Sequence, residues 1–170
     1  MRVSVEGRAD AGDLEVVTRL LGRPPQGDFE VVVRGADGGP VVIRNAPLLH
    51  DCTPMPTRHW LVGVAERLAV ARLEAAGGGR QAEAAVPPEK VAAAHRRAAL
   101  ERDAAIPPGW ERPRPSGGVG GTRRGVKCLH CHYADHLAGT GDPVGRWVAD
   151  RLTEQVRIGP AAEGQLPPRR

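Results

Sequence analysis

Apolar residues recur at helical spacing in four stretches of this chain, and at strand spacing in two or three. Leu14, Val17, Leu20 and Leu21 lie three or four apart, with Asp13 placed to cap the helix and Gly22 and Pro24-Pro25 to stop it. Residues 29–34 (Phe-Glu-Val-Val-Val-Arg) and 41–44 (Val-Val-Ile-Arg) flank a turn rich in Gly and Asp, the pattern of a β-hairpin. A Pro-punctuated loop, 45–57, leads to an apolar run at 58–62 that offers a third strand. Val64, Leu68, Ala71 and Ala75 step along one helical face until Gly77-Gly78-Gly79. Pro88 suits the first turn of a further helix through Val91, His95, Ala98, Ala99 and Arg102 to about Ala105. His95, beside Arg96 and Arg97, reads as part of a solvated face.

Residues 107–125 are loop by composition, and helical spacing returns at Val126, Leu129, Tyr133 and Leu137. Asp142-Pro143 supplies an N-cap and a first-turn proline for a last helix, Val144 to about Val156. Residues 1–12 read as a frayed N-terminus and 158–170 as a disordered C-terminal tail. The expectation is a single α+β domain over 13–157: a small antiparallel sheet, the hairpin plus 58–62 as a third strand, covered by four to five helices.

Composition makes that domain lean, since Gly (22) and Pro (16) are abundant while aromatics are 3% of the 170 residues. No run approaches the roughly 18 apolar residues of a membrane span, and no apolar segment follows Met1–Glu6 as in a signal peptide. Three cysteines do not make a disulfide framework, so the expected location is the cytoplasm. The net charge of +4 is concentrated. Arg112, Arg114, Arg123, Arg124 and Lys127 face Glu111 alone between 108 and 127, and the rest of the chain is balanced.

That basic segment enters the only stretch dense in reactive side chains. Gly118, Gly120 and Gly121, followed by Thr122, would let backbone N–H groups converge on an anion at the start of a helix, with Arg123, Arg124 and Lys127 adding charge. A linker or packing turn explains the same glycines. The order of Gly, Lys and hydroxyl residues does not match a P-loop. Beyond it, Cys128-Leu129-His130-Cys131-His132-Tyr133-Ala134-Asp135-His136 carries two i,i+4 pairs, Cys128/His132 and Cys131/Asp135, the spacing that presents two donors to one metal ion. One helix cannot complete a tetrahedral shell, so Cys52, His50 or His59 would have to contribute. Cys128 and Cys131 also have the Cys-x-x-Cys spacing of redox pairs, and His130 beside Cys128 offers acid–base catalysis. Buried, inert Cys and His side chains are the plain alternative.

Leu21 to Pro25, the Pro47–Thr57 run, Arg72-Leu73-Glu74, Val126 to His130 and Leu137-Ala138-Gly139 follow one another in an order that resembles the family catalogued as domain of unknown function 501. The resemblance spans about 13–156 and implies a small cytosolic protein, mostly actinobacterial in distribution, with no established activity. Genes for a septum-formation initiator and an exopolyphosphatase neighbour many members, which links the family to cell division and to anion handling by association. It places Cys128 and His130 at matching positions, whereas Gly35 stands where many members have cysteine and His59 where they have an aromatic.

The leading functional expectation is a site protein binding a phosphate-type or acidic small molecule through residues 118–127, with Cys128 and His130 as catalytic groups if it is an enzyme. The rival is a zinc-stabilised module for a protein partner, with Cys128, Cys131 and His132, together with Cys52 or His59, as ligands. A nucleic-acid binder ranks last because the total charge is modest.

Overall fold

The computed structural model describes residues 9–158, so the expectations for 1–8 and 159–170 lie outside the described residues. The first helix, α1 (Ala11–Leu21), begins two residues before the expected cap, because Asp10 is the N-cap and accepts the Asp13 N–H at 2.7 Å. Asp13, freed from capping, pairs instead with Arg34 on the hairpin at 2.7 Å. Ala11 and Gly12 are helical rather than frayed, and Gly22 ends the helix in the left-handed conformation (φ 73°).

Strands β1 (Phe29–Arg34), β2 (Pro40–Asn45) and β3 (His59–Leu61) form one antiparallel sheet in the order β1-β2-β3. The 58–62 run therefore does pair: Ile43 faces Trp60, and Arg44 faces His59. Both sheet faces are covered, which accounts for the nearly continuous apolar runs. One side packs Phe29, Val31, Ile43 and Val62 on Val17 of α1. The other meets the helical layer that follows.

That layer comprises α2 (Val64–Ala75), α3 (Gly78–Ala85), α4 (Pro88–Ala104), α5 (Leu129–Leu137) and α6 (Pro143–Ile158). With α1 the described residues hold six helices, more than expected, because Gly77-Gly78-Gly79 does not simply end α2. Only Gly77 makes the turn, at φ 84°, while Gly78 starts α3 in close contact with α2 and α5. A Cβ there would sit 2.6 Å from the Leu73 carbonyl oxygen. The face of α2 is also reversed from expectation. Val64 and Leu68 are exposed, and Val70 and Leu73 are buried instead. Two apolar rows run along this helix, and the one that reaches the sheet is selected by packing, which spacing alone does not encode.

The principal core joins Val33, Val41, Val42 and Leu61 of the sheet to Val70, Leu73, Val91, Leu129, Val144 and Val148 of α2, α4, α5 and α6. Asp142 caps α6 as expected, its Oδ1 accepting the Gly145 N–H at 2.7 Å. Between α4 and α5 the long loop carries one short 3-10 turn, Val119–Gly121. Among the described residues no helix is long and apolar enough to cross a membrane.

Candidate functional site

The glycine-rich segment is held by its own hydrogen bonds. Gly118 N–H donates to the Thr122 carbonyl, Gly121 N–H to Gly118, and Thr122 N–H to Val119. Val119 N–H donates to Nδ1 of His95 at 3.1 Å, and the same ring's Nε2 lies 3.0 Å from the Gly125 carbonyl. His95 is thus buried at the loop's centre rather than solvated. Arg102, also buried, donates to the Gly117 carbonyl at 2.7 Å. Backbone donors from Gly118, Val119, Gly121 and Thr122 are spent within the protein, so they do not form an open anion nest. Arg123, Arg124 and Lys127 are exposed. The two arginines line a cavity of about 370 Å³ with Val86, Val91 and His95.

The start of α5 is occupied in the same way. Oε1 of Glu74, from the end of α2, accepts the Leu129 N–H at 2.6 Å, and Glu83 of α3 accepts the Val126 N–H at 3.0 Å. A carboxylate there answers the positive end of the helix. The same Glu74 presents Oε2 to His130 Nδ1 at 3.1 Å. On its other side His130 places Nε2 3.1 Å from the Arg67 carbonyl of α2. Cys128 is the N-cap residue of α5, and its sulfur completes a half-buried group with Glu74 and His130 in which the three donor atoms lie within 4.8 Å of one another.

Charge in this group is polarised. The Cys128 thiol is pulled down to about 4, first by hydrogen bonding from the Cys131 thiol and then by His130, against burial that opposes ionisation. Cys131 is pushed in the opposite direction by the Cys128 sulfur, by burial and by nearby negative charge. His130 is raised by Cys128 first, then by Glu74 and the Arg67 carbonyl, against its own desolvation.

The other expected ligands are committed elsewhere. His132 does not face Cys128; its Nδ1 is 2.9 Å from Oδ2 of Asp142, and both side chains are fully enclosed. His59 is 2.8 Å from Asp135 in a second buried pair. Cys128 is the N-cap of α5 and its sulfur lies with Glu74 and His130, so the expected side-chain pairing with His132 is not made. Cys52 lies in the loop before β3, at a turn with φ 68°. Among the described residues, Cys52, His59, Cys131 and His132 join no convergent group of three metal donors. Glu74 is the member of this group that spacing could not reveal, since it lies 54 residues before Cys128 in the chain.

An α+β domain with a thiol, an imidazole and a carboxylate gathered where two helices meet is the class defined by this geometry. The chain belongs to the family described as protein of unknown function (DUF501), whose model matches residues 31–150. Nothing among curated proteins or solved structures matches it. Two of the segments that carried the resemblance, Arg72-Leu73-Glu74 and Val126 to His130, are the ones that meet at this site.

Proposed function

We propose that the protein binds a zinc-class divalent ion through Glu74, Cys128 and His130. The convergence of these three donors from α2 and the start of α5 is the observation that carries the reading. A soft thiolate with an imidazole and a carboxylate suits zinc, and three protein ligands leave a fourth position for water or substrate. The outer contacts fit as well: His130 directs Nδ1 at the group while Nε2 meets the Arg67 carbonyl, and Glu74 is steadied by the Leu129 N–H. A bound ion would supply a Lewis acid in a site partly open to solvent. Dialysis of the apoprotein against zinc, then elemental analysis, should give one ion per chain. Cys128→Ser and His130→Ala should each abolish retention, and Glu74→Gln should weaken it at least about tenfold. Zinc retention below stoichiometry in the folded wild type, or retention unchanged in all three variants, would refute the reading.

A second reading, binding of an acidic small molecule, is favoured by the cavity over which Arg123 and Arg124 stand. Its donors would be the two guanidinium groups, which grip carboxylate or phosphate with paired hydrogen bonds, and its apolar walls favour an organic anion over bare phosphate. Calorimetric titration with inorganic phosphate and with a phosphorylated sugar tests it. Heat lost in the double variant Arg123→Ala plus Arg124→Ala supports the reading; no heat with either probe ends it.

A further inference from the structure

We propose that Cys128 and Cys131 form a redox-active dithiol that exchanges with small-molecule disulfides. The two residues occupy the N-cap and third positions of α5, the relation in which side chains at a helix start turn back toward each other. Cys-x-x-Cys at a helix N-terminus is also the arrangement that closes a short disulfide and makes the first sulfur nucleophilic. The two sulfurs differ in setting. Cys128 stands at the junction with the exposed Lys127, its sulfur within 4.8 Å of a ring nitrogen of His130. Cys131 packs under the loop with Val119, Ala94 and Ala98. A Cβ at Gly120 would approach the Cys131 sulfur to 3.0 Å, so the loop covers that sulfur only because a glycine stands there. The first sulfur is placed to be attacked or to attack from outside, and the second to resolve the product from within.

The exchange balances as follows. The Cys128 sulfur attacks one sulfur of R–S–S–R, forming a mixed disulfide and expelling one thiolate, which takes up the proton that Cys128 gave. The Cys131 sulfur then attacks the Cys128 sulfur and expels the second thiolate, which takes up the Cys131 proton. The protein dithiol loses two electrons and two protons, and the external disulfide becomes two thiols. This activity does not require the metal, although it uses one of the proposed metal ligands. Zinc held at Cys128 should therefore slow it.

Metal-free wild type incubated with oxidised glutathione tests the proposal without any substitution. Titratable thiols should fall from three to one, the mass should drop by two hydrogens, and peptide mapping should join Cys128 to Cys131 while Cys52 stays reduced. Cys131→Ser should instead trap one glutathione on Cys128, and Cys128→Ser should form no internal bond. Three thiols persisting in the folded wild type, or an adduct on Cys128 that Cys131 never resolves, overturns the proposal. Glu74→Gln separates the two readings, since it weakens a proposed metal ligand and leaves both cysteines in place. Exchange that survives in this variant while its zinc retention is weakened supports the dithiol alone. Zinc retention without exchange supports the metal centre alone.

Discussion

Nδ1 of His59 lies 2.8 Å from Oδ1 of Asp135, joining the short third strand to the last turn of α5 through two side chains that are both closed to solvent. A second pair, His132 and Asp142, does the same between α5 and the cap of α6. Arg97 of α4 stands over both carboxylates, with Nη2 at 3.5 Å from Asp135 and 3.7 Å from Asp142. Nη2 also donates to Thr140, whose hydroxyl in turn donates to the Asp135 carbonyl. Polar bonds thus hold α5 in place in a core poor in aromatic side chains, and α5 is the helix that presents Cys128 and His130.

Removing one partner of a buried pair leaves the other without compensation, which costs about 3–5 kcal/mol. Asp135→Ala should therefore lower stability by about that amount in urea unfolding. The double variant Asp135→Leu plus His59→Phe replaces the pair with apolar groups and should cost less than the sum of the single changes. Simple additivity in the cycle would show that the pair carries no coupling.

The loop that precedes α5 depends on a single ring. Because Val119 N–H donates to Nδ1 of His95, that nitrogen is an acceptor, and the ring hydrogen belongs on Nε2, facing the Gly125 carbonyl. His95→Phe keeps most of the volume and removes both bonds, at a cost of about 1–3 kcal/mol. Gly118→Ala should have a similar cost, about 1–3 kcal/mol from overpacking, because its Cβ would lie 2.4 Å from the His95 Cβ. Both variants should accelerate hydrogen exchange across 117–125 while leaving β1 and β2 protected. Unchanged exchange in that segment would show that the ring does not hold the loop.

Strands and most helix ends were legible in the chain because they depend on local chemistry: the Val-rich runs, Gly22, Pro88 and the Asp142-Pro143 cap all lie where the structure uses them. The hidden parts depend on partners distant in sequence. Spacing placed His132 with Cys128, but one helix cannot reveal that Asp142 from the next segment will claim that imidazole. The glycines of 117–121 suggested open N–H groups, and their occupation by neighbouring carbonyls and by His95 required a tertiary contact with α4. Glu74 joins the group only through the meeting of α2 with α5, a contact that local spacing does not encode.

His136, one turn beyond His132, gives the fold a predictable response to acid. Its Nδ1 is buried without a hydrogen-bond partner, and its pKa is lowered, first by burial and then by the positive charge of Arg146, against the weaker pull of Asp142 and Asp150. Protonation is thus easier in the unfolded chain, where the imidazole titrates near about 6.5. Between that value and the lower folded value, the unfolded state binds more protons than the native state, so stability rises with pH. Stability should fall as the solution is acidified from about pH 7 through about pH 6.5, and this contribution should level off below the folded pKa. Urea unfolding of the wild type and of His136→Asn across that range isolates the effect, because the remaining histidines titrate in both proteins and cancel in the difference. The variant should lose part of the acid sensitivity, and Arg146→Gln, which removes the opposing charge, should lose a smaller part. An identical pH slope in wild type and His136→Asn would show that the buried nitrogen is neutral to folding.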